Sequence, residues 1–141
     1  MKLHHAFIAG LLACVSDAAV AGLPSEPLVE PLPVGIPVGM APAVVAKAVK
    51  RSLAGRNWMV TREESGYLEG TLMVRNHMLK VGVTYDDRLV TMKYVESTGL
   101  GYRERAGRPR IHPKYMHWTR NVMTDLNRML QDVDLADPDA R

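Results

Sequence analysis

Residues 67–94 read YLEGTLMVRNHMLKVGVTYDDRLVTMKY, and the alternation inside this stretch decides the fold. Leu68, Gly70, Leu72 and Val74 alternate with Tyr67, Glu69, Thr71 and Met73. After a break at Arg75-Asn76-His77, Leu79, Val81, Val83 and Tyr85 alternate with Lys80, Gly82 and Thr84. Asp86-Asp87 then reads as turn chemistry rather than an acid/base pair, and Val90, Met92 and Tyr94 stand opposite Thr91 and Lys93. A period of two places alternate side chains on opposite faces of a strand, so these runs are half-buried strands. Upstream, Trp58 and Val60 alternate with Met59 and Thr61, and Glu63-Glu64-Ser65-Gly66 supplies the turn into the next strand. The expectation is a four-stranded antiparallel meander with one apolar and one mixed face, covered on one side only.

Helices flank the meander. Pro42 suits a first helical turn, and Val45, Val49 and Leu53 recur opposite Lys47, Lys50 and Arg51, which predicts a helix over 42–54 closed by Gly55. Residues 96–111 lack hydrophobic periodicity but carry Gly99, Gly101, Gly107 and Pro109, which predicts a long loop. Beyond it His112 is placed as an N-cap and Pro113 as the first helical residue. Tyr115, Trp118, Val122, Leu126, Met129 and Val133 form one apolar stripe. The class is therefore α+β in the order α-β-β-β-β-α, both helices on one sheet face, over residues 42–133. Residues 134–141, with Asp134, Asp137 and Asp139, read as an acidic frayed tail.

Residues 1–21 read MKLHHAFIAGLLACVSDAAVA. A short basic start, an apolar run from Ala6 to Val15 and the small-x-small Ala19-Val20-Ala21 have the layout of a secretory signal peptide. The run is too short to span a bilayer. A second reading takes Leu11-Leu12-Ala13-Cys14 as a bacterial lipobox, with residues 1–13 removed and Cys14 lipidated. The first predicts a periplasmic protein and the second an outer-membrane-anchored lipoprotein. Residues 22–41 hold Pro24, Pro27, Pro31, Pro33 and Pro37, spacing that excludes a helix and favours an extended chain. That segment is expected to be a flexible arm, a tether if Cys14 is lipidated and otherwise free or laid along the domain.

Composition narrows the chemistry. One cysteine among 141 residues excludes an intrachain disulfide and any cysteine-built zinc or iron–sulfur site. A net charge of +3, with no aromatics interleaved with basic residues on the sheet, argues against nucleic acid. Soft ligands occur at His112 and Met116, with His117 adjacent and His77-Met78 elsewhere, but the nine methionines are scattered. Core packing explains them better than copper, and neither metal nor cofactor is expected.

Two groups of residues carry the functional expectations. Tyr94, Ser97, Tyr102, His112, Tyr115 and Trp118 come from the end of the last strand and the start of the second helix, where polar tips on aromatic bodies would line a ligand or hydrolase-like pocket. Ser97 lies in ESTGLG rather than a G-x-S-x-G elbow, which weakens the nucleophile reading. Arg103, Arg105, Arg108 and Arg110 are the densest cationic stretch, fit for bidentate contact with phosphate or carboxylate.

The segments Arg56 to Trp58, Val83 to Asp86, Tyr94 to Tyr102 (Y-x-x-S-x-x-L-x-Y) and Ile111 to Trp118 (I-H-x-x-Y-x-x-W) carry a resemblance. On them the chain resembles a family of small uncharacterised proteobacterial secreted proteins and lipoproteins. The resemblance implies export and this fold, and supplies no catalytic residue. The combined expectation is a non-enzymatic envelope protein that binds another envelope protein, a peptide or an anionic envelope component, with the membrane as partner only through a lipidated Cys14.

Overall fold

In the computed structural model, which describes residues 22–136, an α+β fold is built from two helices and two antiparallel sheets. The signal and lipidation readings, Cys14 included, fall on residues outside those described, as do residues 137–141 of the acidic tail. In chain order the elements are β1 (Glu26–Pro27), β2 (Val34–Gly35), α1 (Pro42–Ala54), β3 (Trp58–Glu64), β4 (Tyr67–Val74), β5 (His77–Tyr85), β6 (Leu89–Thr98), β7 (Arg103–Arg105), β8 (Arg108–Ile111) and α2 (Lys114–Ala136).

The alternation of residues 67–94 becomes β4, β5 and β6, paired consecutively with β3 outside β4. Leu68, Leu72, Leu79, Val81, Val83, Val90 and Met92 form the buried face. Asp86 closes the last turn by accepting the amide hydrogens of Arg88 and Leu89 at 2.7 and 2.8 Å, and these two bonds hold its carboxyl below the usual range.

Both helices join that face in a single core with Val45, Val49, Leu53, Tyr115, Val122 and Leu126. Helix α1 lies close to the sheet at Gly70, where an added Cβ would stand 2.9 Å from Leu53 Cδ2. Its end differs from expectation. Gly55 keeps helical φ (−63°), two further tight turns follow, and the left-handed residue is Asn57 at φ 63°, a conformation Asn tolerates. In α2 the buried stripe is rotated from the predicted one. Tyr115, Thr119, Val122, Leu126 and Leu130 are buried, while Trp118 and Met129 pack at its flank. Thr119 enters the stripe because its hydroxyl donates to the Tyr115 carbonyl at 2.9 Å, which satisfies it without an outside partner. The helix also continues through Asp134 to Ala136, so the start of the expected frayed tail is helical.

Two larger corrections concern the sheets. The expected four strands are part of a five-stranded sheet of order β2-β6-β5-β4-β3, because Val34–Gly35 from the proline-rich segment pairs with β6 at Val90 and Leu89. The expected loop over residues 96–111 contains β7 and β8, which with β1 make a second, three-stranded sheet of order β1-β8-β7. The arm is therefore extended but laid along the domain: Val34 and Ile36 are buried, and the Ile36 and Leu28 amides donate to the Arg88 and Pro109 carbonyls. Prolines permit this because Pro27 sits in an edge strand, where its missing N–H is not needed by a neighbour.

Candidate functional site

The β5–β6 register slips by one residue between Lys80 and Val81, whose partners are Glu96 and Tyr94. Val95 is the extra residue. Residues three apart in a regular strand point to opposite faces, but this bulge returns Ser97 to the face of Tyr94. The Tyr94 hydroxyl and Ser97 Oγ consequently lie 2.9 Å apart. Tyr102 stacks on Tyr94 with ring centroids 4.4 Å apart, and Tyr115 from α2 meets Tyr94 edge-on at 5.8 Å. Four of the six expected cluster residues are thus brought together.

A residue that the sequence reading passed over completes the group. Glu30, in the arm, accepts the Tyr94 amide hydrogen through Oε1 at 3.0 Å and the Tyr115 hydroxyl hydrogen through Oε2. This carboxylate caps the outer edge of β6 just beyond its pairing with β2, and ties arm, sheet and helix at one point. Burial first, and the neighbouring carboxylate second, push the Tyr115 hydroxyl well above its ordinary value; burial also raises Tyr94. The signal available in the sequence was a carboxylate inside an otherwise apolar, proline-rich run, LVEPLPV over residues 28–34.

His112 and Trp118 do other work. Helix α2 starts at Lys114, one residue later than expected, and His112 Nδ1 accepts the Lys114 amide hydrogen at 3.1 Å, capping the helix start from two residues before it. Burial, Lys114 and His77 together lower its pKa. Among the described residues Ser97 and His112 share no hydrogen bond, and the Ser97 hydroxyl is spent on Tyr94. Trp118 lines a separate surface groove with Arg56, Trp58 and His117. The geometry gives an aromatic cluster in which the Tyr94, Ser97 and Tyr115 hydroxyls are hydrogen-bonded, and it does not align a nucleophile with a base. Among the described residues no three His, Cys, Asp or Glu side chains gather in a way that would hold a metal.

The four arginines are arranged more regularly than their sequence suggested. Ala106 and Gly107 have φ of 49° and 71°, the left-handed pair of a two-residue type I′ turn. That turn sets Arg105 opposite Arg108 and Arg103 opposite Arg110. Directly opposed residues share a face, and so do residues two apart along a strand, so all four guanidinium-bearing side chains leave one face of the ribbon. Glu104 and Pro109 take the other face, where Ile111 turns into the core. Arg110 donates to the Ser25 carbonyl at 2.6 Å. Among the described residues no carboxylate lies within ion-pairing distance of any of the four.

Comparison with models of protein families, with curated proteins and with solved structures found no match.

Proposed function

We propose that this is a non-enzymatic binding protein of the bacterial envelope whose working surface is the β7–β8 hairpin, and that it engages phosphate-bearing anionic components, lipopolysaccharide or anionic lipid. One observation carries the reading: the cross-strand register places four arginines on one face with no acidic partner among the described residues. Like charges directly opposed across a hairpin cost stability. Two such pairs side by side are an arrangement that an anion relieves. Each guanidinium presents a planar fork matched to phosphate oxygens. The envelope assignment rests on the signal-like residues 1–21.

The test is binding to vesicles of phosphatidylglycerol against phosphatidylcholine as salt is raised. An arginine near an anionic surface contributes about 1 kcal/mol, so Arg105→Ala with Arg108→Ala should weaken binding roughly thirtyfold. These two side chains are exposed at the hairpin tip, so the fold is retained. Salt-independent binding, or equal binding by the double variant, overturns the proposal.

A further inference from the structure

The arm and α2 do not meet along their whole length. Between them lies a cavity of about 530 Å³ walled by Val29, Leu32, Val34, Met116 and Met123, with Arg120 on its rim. A second cavity of about 390 Å³ shares Val29, Met116 and Arg120 with it and continues to Glu26, Pro27 and Pro113. Together they form one groove along the arm. Val29 and Leu32 are 62% and 85% exposed, so the apolar wall stands open to water rather than being closed by the core. Volumes of this size are those of small-molecule sites, roughly 300–1,000 Å³.

The lining of the groove reaches Pro27, the strand neighbour of the arginine ribbon. Pro27, at its mouth, pairs directly with Arg110, which pairs with Arg103, so the three lie side by side on one face of the second sheet. Adjacent strands are about 4.8 Å apart, so the Arg110 backbone lies one strand spacing from Pro27. Two carboxylates also line the groove: Glu26, which pairs with Ile111 and so takes the face opposite the arginines, and Glu30, which is engaged by the Tyr94 amide and the Tyr115 hydroxyl. Arg120 adds a cation partway along, and among the described residues it has no ion-pair partner.

An apolar trough that opens onto a phosphate-complementary face defines an occupant of matching polarity. We infer that the groove between the arm and α2 receives the acyl chain of a single phosphate-bearing amphiphile while its headgroup rests on Arg103 and Arg110. This rests on the anion-binding reading of the hairpin and adds to it the half of the ligand that the hairpin does not touch. It distinguishes a protein that holds a lipid monomer from one that only adheres to a charged surface. Charge complementarity selects a phosphate ester over a neutral lipid, and the open apolar wall selects an acylated ester over a free phosphate.

The experiment is a titration of the full chain with monoacyl glycerol phosphates of increasing chain length, kept monomeric, beside glycerol 3-phosphate and inorganic pyrophosphate. Each methylene that enters the groove should tighten binding about fourfold until the trough is filled. Thr124→Trp blocks the trough from an exposed helix position and Leu32→Asp charges its wall; neither touches the core. Both should abolish the chain-length dependence and leave pyrophosphate binding unchanged. Chain-length-independent affinity with pyrophosphate binding retained overturns this inference and leaves the hairpin reading standing. Absence of binding to every phosphate probe overturns the hairpin reading, and the inference with it. Groove-dependent capture of an acidic apolar peptide in place of the amphiphiles assigns the trough to a protein partner and also overturns it.

Discussion

Removing the Glu30 carboxylate should loosen the arm and lower global stability together. In Glu30→Ala the fully buried Tyr115 hydroxyl and the Tyr94 amide lose their acceptor. Each buried polar group left unpaired costs about 1–3 kcal/mol. Because Glu30 is half-buried and water reaches one side, the expected loss is about 2–4 kcal/mol, nearer the lower bound of two such costs. Tyr115→Phe removes only the hydroxyl, and the carboxylate regains water, so its loss is about 1–2 kcal/mol. Joined in a double-mutant cycle, the pair should show a coupling of about 1–2 kcal/mol, since either change alone already breaks the shared bond. Urea unfolding of the four proteins measures this, and amide exchange at Val34 and Val90 reports whether the β2–β6 pairing opens with it. Strict additivity, or an unchanged midpoint for Glu30→Ala, would refute the clasp as a joint between arm and helix.

Other outcomes follow from the same structure. The raised Tyr115 value means the unfolded chain loses this proton first, near the ordinary 10.0, so stability is level below that pH and falls as pH rises beyond it, by up to about 1.4 kcal/mol per unit. Tyr115→Phe should flatten that fall, as alkaline denaturation curves will read. For His112 the sign is opposite: its folded value lies below the ordinary 6.5, so acidification through that value favours unfolding and takes Nδ1 from the Lys114 amide. His112→Asn should keep the cap and lose the acid sensitivity, whereas His112→Ala should cost about 1 kcal/mol at neutral pH. At the hairpin tip, Ala106 holds a left-handed φ that costs roughly 1–2 kcal/mol for a residue with an ordinary side chain, and Ala106→Asn should raise the thermal midpoint without altering anion binding.

The meander and both helices were legible because each buries one face over several turns or pleats, which leaves a period in the sequence. The arm left none. Two-residue strands have no alternation, and the prolines that argued against a helix argued equally for a free chain. The Arg103–Arg110 ribbon does have a period of two, but every side chain that marks it is charged, so the alternation signalled no buried face. The Val95 bulge was invisible for a different reason: a one-residue slip is set by the partner strand, and only its result, Ser97 beside Tyr94, shows that it is there. Glu30 was missed because its partners lie 64 and 85 residues away.

Those separations have a consequence for the order in which the molecule assembles. The meander and α1 use neighbouring segments, so their contacts can form as soon as the chain is present. The arm precedes everything it binds: β1 needs β8, and Glu30 needs the first turn of α2. Closing loops of that length is entropically slower than closing a hairpin. During synthesis from the N-terminus, the segment that emerges early must wait until Tyr115 has followed it. In that interval Val34 lacks the cover of α2 and β1 lacks its partner β8, an interval in which another chain can take the arm's place.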